Sequence, residues 1–189
     1  MEPITALDLT QADPLDGDIR AYFDKCTEKL GLIPNVLQAY AFDQAKLRAF
    51  MAMYNDLMLA PSGLSKAERE MIAVAVSAEN KCVYCLTAHG AALRQLTGDP
   101  ILAETIAQNW RVARLDARQR AMLAFAVKLT QRPQDMEEAD RAALRTAGFS
   151  DRDIWDIAAV ASFYNMSNRM AAAVEMAPNP EYHAMARGG

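Results

Sequence analysis

The sequence predicts an all-α protein, and three observations carry that prediction. Apolar residues recur at three- and four-residue spacing along most of the 189-residue chain, the periodicity of amphipathic helices. Alternating runs rich in Val, Ile and Thr between turn residues are nearly absent. Helix-start and helix-stop residues, by contrast, recur throughout.

Taken in order, Asp16-Gly17-Asp18 opens an apolar pattern at Ile19, Tyr22, Phe23, Cys26 and Leu30, and Gly31 can end it. Pro34 is suited to be the first helical residue of a short segment through Ala41. Residues 43–59 place Leu47, Phe50, Met51, Tyr54, Leu57 and Met58 at helical spacing. These N-terminal helices occupy 18–60. Pro61-Ser62-Gly63 then breaks the chain, and Ser65 with Glu68 forms a capping box for a helix to about Ala78. Asn80-Lys81 reads as a tight connection to a helix that begins at Cys82 and stops before Gly98-Asp99-Pro100. Further helices are expected at 101–110, 116–131 and 137–147, and a last one from Ser150, with Asp153 three positions on. Residues 178–189 hold Pro178, Pro180 and Gly188-Gly189 and read as an extended tail.

Composition bounds the function. The chain is 52% hydrophobic and 23% charged, ordinary for one globular domain over 1–189. A net charge of −4 gives no footprint for nucleic acid or an anionic membrane. No run approaches the roughly 20 apolar residues of a membrane span. Met1-Glu2-Pro3-Ile4-Thr5 has neither a basic nor an apolar leader region, so a cytoplasmic location is the default. The eleven methionines read as core packing. Of the three cysteines, two stand at C-x-x-C spacing, which in a reducing compartment suggests redox chemistry or a metal.

An internal repeat organises the chain. Shifted by 51, residues 64–94 lie over 115–145 without a gap and agree at 11 of 31 positions. Leu64, Arg69, Met71, Ala73, Ala75 and Val76 match Leu115, Arg120, Met122, Ala124, Ala126 and Val127. The run Ala91-Ala92-Leu93-Arg94 matches Ala142-Ala143-Leu144-Arg145. Two copies of a helical hairpin packed about a pseudo-twofold axis would explain it. The same shift sets Cys82 against Pro133, Cys85 against Met136, His89 against Asp140 and Glu70 against Ala121. Residues needed only for folding should survive in both copies; the four that differ are candidates for chemistry.

Cys85 and His89, four apart on a helix, share one face with Cβ atoms roughly 5–6 Å apart. Cys82 and Cys85 lie in the first turn, close enough to bridge if their side chains converge. A helix N-terminus favours a thiolate, the nucleophilic form. Folded as an antiparallel hairpin about Asn80, the chain brings Glu70 level with His89, where a carboxylate can orient the imidazole. The group reads as nucleophile, base and orienter, with a second thiol to resolve an oxidised first one. Plainer roles stand beside this: Cys26 as a small buried hydrophobe, Glu68 as a cap, Tyr84 as packing or as an accessory hydroxyl near the thiols. Cys82, Cys85, His89 and Glu70 could also complete a tetrahedral zinc site, although C-x-x-C-x-x-x-H on one helix is unusual for structural zinc.

The motif Leu64-Ser65-x-x-Glu68-Arg69-Glu70, Ala75-Val76-Ser77, Asn80, Cys82-x-x-Cys85-x-x-x-His89-Gly90 resembles the alkyl hydroperoxidase D core of the carboxymuconolactone decarboxylase superfamily, nearest its peroxidase-related branch. Leu30-Gly31-Leu32-Ile33-Pro34-Asn35-Val36, Phe163-Tyr164-Asn165 with Asn168-Arg169, and Pro178-Asn179-Pro180-Glu181-Tyr182 extend the resemblance to nearly the whole chain. It implies an all-α homo-oligomer, without cofactor or bound metal, that reduces hydroperoxides at the expense of a thiol or dithiol donor in an antioxidant role. It also implies that Cys85 attacks the peroxide and passes through a sulfenic acid, that Cys82 resolves it as a disulfide, and that Glu70 and His89 relay protons. The family's better-known hydroperoxidases carry a second histidine between the cysteines, where this chain has Tyr84, a poor proton shuttle at neutral pH. The alternatives are a cofactor-free lactone decarboxylase, whose chemistry has no need of paired thiols, and a zinc-binding or purely structural helical protein.

Overall fold

A computed structural model describes residues 3–187; Met1-Glu2, where the leader was sought, and the Gly188-Gly189 end lie outside the described residues. Among the described residues every regular element is helical. The order is α1 (Gly17–Leu30), α2 (Asn35–Tyr40), α3 (Gln44–Tyr54), α4 (Lys66–Glu79), α5 (Val83–Thr97), α6 (Pro100–Asn109), α7 (Ala117–Gln131), α8 (Glu138–Thr146), α9 (Asp151–Ala173) and α10 (Glu181–Ala184). Helix α4 is the centre. Every residue from Glu68 to Ser77 is buried, and the helix packs against α5, α6, α7 and α9.

The start and stop of α4 set the site. Ser65 and Glu68 form the capping box that the sequence predicts. At the other end Lys81 takes the left-handed conformation, φ 53°. The Lys81 amide donates to the Ala78 carbonyl and the Cys82 amide to the Ser77 carbonyl, at 3.1 and 3.0 Å. That is a Schellman stop with lysine at the position glycine usually takes. Cys82 is at once the last residue of this stop and the N-cap of α5, so the chain reverses within three residues. Helix α5 ends at Gly98, φ 65°.

The second copy follows the 51-residue offset through α7 and α8. Asp116 and Gln119 repeat the Ser65–Glu68 box. Arg120 donates to the Arg111 and Ala113 carbonyls, as Arg69 does to those of Leu57 and Leu64. Met122, Val127 and Leu144 are buried like Met71, Val76 and Leu93. The turns differ: a 3₁₀ segment, Pro133–Asp135, stands where α5 carries its cysteines, and α8 is nine residues long against fifteen for α5.

Three expectations need correction. Pro34 caps α2 from outside, with extended ψ, instead of being its first helical residue. The helix expected over 43–59 turns π-helical at Asn55–Leu59. The tail expected to be extended is docked as far as residue 187: it contains α10, and Asn179 and Tyr182 are buried. Its backbone is satisfied by distant partners. Arg94 donates to the Tyr182 and Met185 carbonyls at 2.8 and 2.9 Å. Asn35 donates from its backbone to the Asn179 side chain at 2.7 Å and from its side chain to the Ala177 carbonyl at 2.9 Å.

Candidate active site

The hairpin of α4 and α5 brings Glu70 to His89, as their distances from the turn predict. Glu70 Oε2 lies 2.7 Å from His89 Nδ1, with both side chains largely removed from water. A carboxylate can only accept, so Nδ1 carries the proton and Nε2 is left as the acceptor. The Tyr164 hydroxyl stands 3.4 Å from the same nitrogen, its ring edge-on to the imidazole at 4.6 Å.

Cys82 and Cys85 are both buried and unbridged. The Cys82 sulfur accepts the Cys85 amide at 3.4 Å, filling the N-cap role usually played by an oxygen. The Cys85 thiol and then the Cys85 amide lower the Cys82 pKa to about 7, against the opposing effect of burial. The same pairing holds the Cys85 pKa well above the usual thiol range, helped by burial. Near neutral pH Cys82 is therefore the more readily ionised sulfur of the pair, and Cys85 the one that holds its proton more firmly.

Helix α9 supplies three residues that sequence reasoning did not assign to the site. Tyr164, Ser167 and Asn168 are buried on one face of it. Asn168 donates to Ser77 Oγ at 3.0 Å and accepts from Asn80 Nδ2 at 2.9 Å, tying α9 to the turn before Cys82. Its amide also favours the charged form of both thiols, and the Ser167 hydroxyl does so for Cys85. The signal was present as polar residues at helical spacing, 164, 167 and 168, but Ser162, Asn165 and Arg169 around them blur which face is meant. The Tyr84 hydroxyl accepts the Val36 amide at 3.0 Å, joining α5 to α2. Desolvation raises its pKa well above 10. Cys26 is half-buried, and burial raises its pKa. Glu68 accepts from the Ser65 amide and Arg118, apart from the thiols.

Cys85, His89 and Tyr164 lie on the wall of a cavity of about 540 Å³ between α1, α5, α9 and the tail. Tyr84, Ser167 and Cys26 border it as well. Its inner wall is apolar, with Leu37, Phe50 and Phe163 buried there. Among the described residues, no three His, Cys, Asp or Glu side chains are grouped to hold a metal ion. Among the same residues no helix is long and apolar enough to cross a membrane.

The sequence profile of the carboxymuconolactone decarboxylase family matches residues 44–108, a span that includes Glu70, Cys82, Cys85 and His89. No curated protein matches the chain by sequence. Among solved structures, an uncharacterized peroxidase-related protein from a Silicibacter species is similar at 62% identity, over 99% of each chain, with a TM-score of 0.95. A peroxidase-related protein from Ralstonia eutropha, described as an alkylhydroperoxidase AhpD core, is 44% identical over 100% of this chain and 99% of its own, TM-score 0.95. The debrominase Bmp8 shares the fold at 18% identity, over 95% of this chain and 96% of its own, TM-score 0.78. Identity of this extent over the full length places the chain in its family: it belongs to the alkyl hydroperoxidase D-like proteins of the carboxymuconolactone decarboxylase superfamily, within the peroxidase-related group.

Proposed function

We propose that the protein is a thiol-dependent hydroperoxide reductase with Cys82 and Cys85 as its redox pair. One observation carries the reading: a buried dithiol, with Cys85 on the wall of an apolar cavity beside a Glu70–His89 pair. Cys85 is the sulfur a hydroperoxide in that cavity reaches. The two sulfurs share one proton, which passes to Cys82 as the peroxide docks against Cys85. The Cys85 thiolate attacks the terminal peroxide oxygen, the O–O bond breaks, and the alkoxide leaves as alcohol with a proton relayed through His89. Cys85 is then a sulfenic acid. Cys82 attacks its sulfur and gives up its proton to the leaving hydroxyl, which departs as water as the disulfide forms. The balance is one hydroperoxide and two thiols to alcohol, water and disulfide, and an external dithiol donor returns the pair to its reduced state. Glu70 holds the His89 tautomer throughout.

A cytosolic location and a homo-oligomeric assembly belong to the same reading. Val83, Ile101 and Trp155 are 66%, 73% and 72% exposed, apolar surface that subunit contacts would bury.

The test pairs peroxide consumption with trapping of sulfenic acid. Cys85→Ser abolishes consumption. Cys82→Ser still forms a trappable sulfenic acid on Cys85 once and then stalls or over-oxidises. Labelling of the Cys85→Ser protein but not of Cys82→Ser reverses the two roles. Loss of no thiol with any hydroperoxide removes the peroxidase reading and returns a decarboxylase chemistry to the front.

A further inference from the structure

The cavity over Cys85 has a polarity from its inner end to its mouth that no part of the redox chemistry uses. At the inner end the lining is buried and apolar, with Leu37, Phe50 and Phe163. At the mouth the lining is exposed and includes Lys25 and Lys29 from α1 and Lys66 from the first turn of α4. Among the described residues no carboxylate lies within salt-bridge distance of any of the three lysines, and no Asp or Glu lines the cavity. In a chain of net charge −4 a mouth lined by three unpaired cations runs against the overall balance. Such a mouth attracts and orients anions.

The π-helical turn is a second, independent observation. Asn55 and Leu59, its two ends, both line the cavity, and Asn55 Oδ1 accepts from Tyr22 on α1 at 3.0 Å. A π-turn costs hydrogen-bond geometry and is concentrated at functional sites. Here it shapes the wall opposite α5, so both the widened helix and the cations serve one opening. The volume, about 540 Å³, lies within the range of about 300–1,000 Å³ that holds small organic ligands; hydrogen peroxide needs far less.

We infer that the preferred substrate is an amphipathic organic hydroperoxide bearing a carboxylate: an apolar body against Leu37, Phe50 and Phe163, its anionic end among Lys25, Lys29 and Lys66, and its peroxide at Cys85. The inference rests on the hydroperoxide-reductase reading for the reacting group, and on the cavity alone for the rest. The chemistry at sulfur is unchanged: the O–O bond breaks, the carboxylate-bearing alcohol leaves, and the two thiols become a disulfide that a dithiol donor reduces.

The experiment compares cumene hydroperoxide with its ring para-carboxylated analogue on the full-length reduced protein, following thiol oxidation. In parallel, the two corresponding alcohols are titrated calorimetrically. The carboxylated peroxide should reach half-saturation at a concentration at least about fivefold lower, and the carboxylated alcohol should bind more tightly by a similar factor. Both preferences should fall as salt rises and collapse toward one in the triple variant Lys25→Gln, Lys29→Gln, Lys66→Gln, whose exposed positions leave the core intact. Equal half-saturation of the two peroxides, or a preference that survives the triple variant, overturns the inference. Equal binding of the two alcohols also overturns it. If neither peroxide oxidises the thiols but the carboxylated alcohol still binds more tightly, the reductase reading fails and the anionic, amphipathic ligand class stands.

Discussion

Charge at the residue scale is divided unequally between two neighbouring sulfurs. Cys82, at the helix start, receives the Cys85 amide and thiol, and its pKa falls from 9.0 to about 7. Cys85 is pushed the other way by the same partner and by burial. The thiolate fraction of Cys82 thus rises as pH climbs through about 7, and its alkylation should quicken about tenfold between pH 6 and pH 8. Cys85→Ala removes the largest cause and should move that midpoint up toward the ordinary thiol value. A Cys82 midpoint near 9 in the unaltered protein, measured by pH-dependent alkylation and peptide mapping, would refute the division of charge. All of Cys82, Cys85, His89 and Glu70 were legible as candidates, because their spacing is local to one hairpin. The charge division was not: it depends on Cys82 standing at the N-cap of α5, where its sulfur accepts the Cys85 amide.

At the scale of elements, one hairpin carries Glu70, Cys82, Cys85 and His89, while its copy has Ala121, Pro133, Met136 and an Asp140 tied to Lys128 in their places. The offset of 51, the Ser65–Glu68 capping box and the matched arginines were readable because caps and helical periodicity are short-range. Tyr164, Ser167 and Asn168 escaped assignment because the face that α9 turns toward α4 and α5 is decided by tertiary packing. The π-turn at Asn55–Leu59 escaped for a similar reason: its sequence has ordinary helical periodicity. The division of labour predicts opposite phenotypes. Met122, fully buried on α7, should cost about 2–5 kcal/mol on mutation to Ala, with the thiol reaction normal per folded molecule. Glu70→Gln keeps shape and removes charge. It should leave the melting temperature nearly unchanged and slow Cys85 oxidation by roughly 10²–10⁴-fold. Melting curves beside thiol-oxidation rates decide. An unfolded Glu70→Gln protein with a normal rate per folded molecule would make Glu70 structural and leave the relay to His89.

The whole molecule closes the site with its chain end. Pro178, Pro180 and the terminal glycines suggested a loose tail, yet Tyr182 and Met185 form part of the cavity wall. Arg94, which holds Tyr182 and Met185, and Asn35, which holds Asn179, lie 88 to 144 residues away in sequence from the residues they anchor, beyond the reach of any local pattern. Arg94→Ala leaves two carbonyls without their charged donor and should destabilise by roughly 2–3 kcal/mol. It should also open residues 178–187 to protease ahead of global unfolding. Uniform protection of that segment would contradict the docking. The central claim is that Cys82 and Cys85 form one redox pair, and that Cys26, whose pKa is raised by burial, takes no part despite bordering the same cavity. Its most direct test is peptide mapping after one equivalent of an organic hydroperoxide, with thiols counted before and after. The account predicts loss of two thiols, a single Cys82–Cys85 disulfide and a reduced Cys26. A bridge that includes Cys26, or three thiols surviving the peroxide, would contradict it.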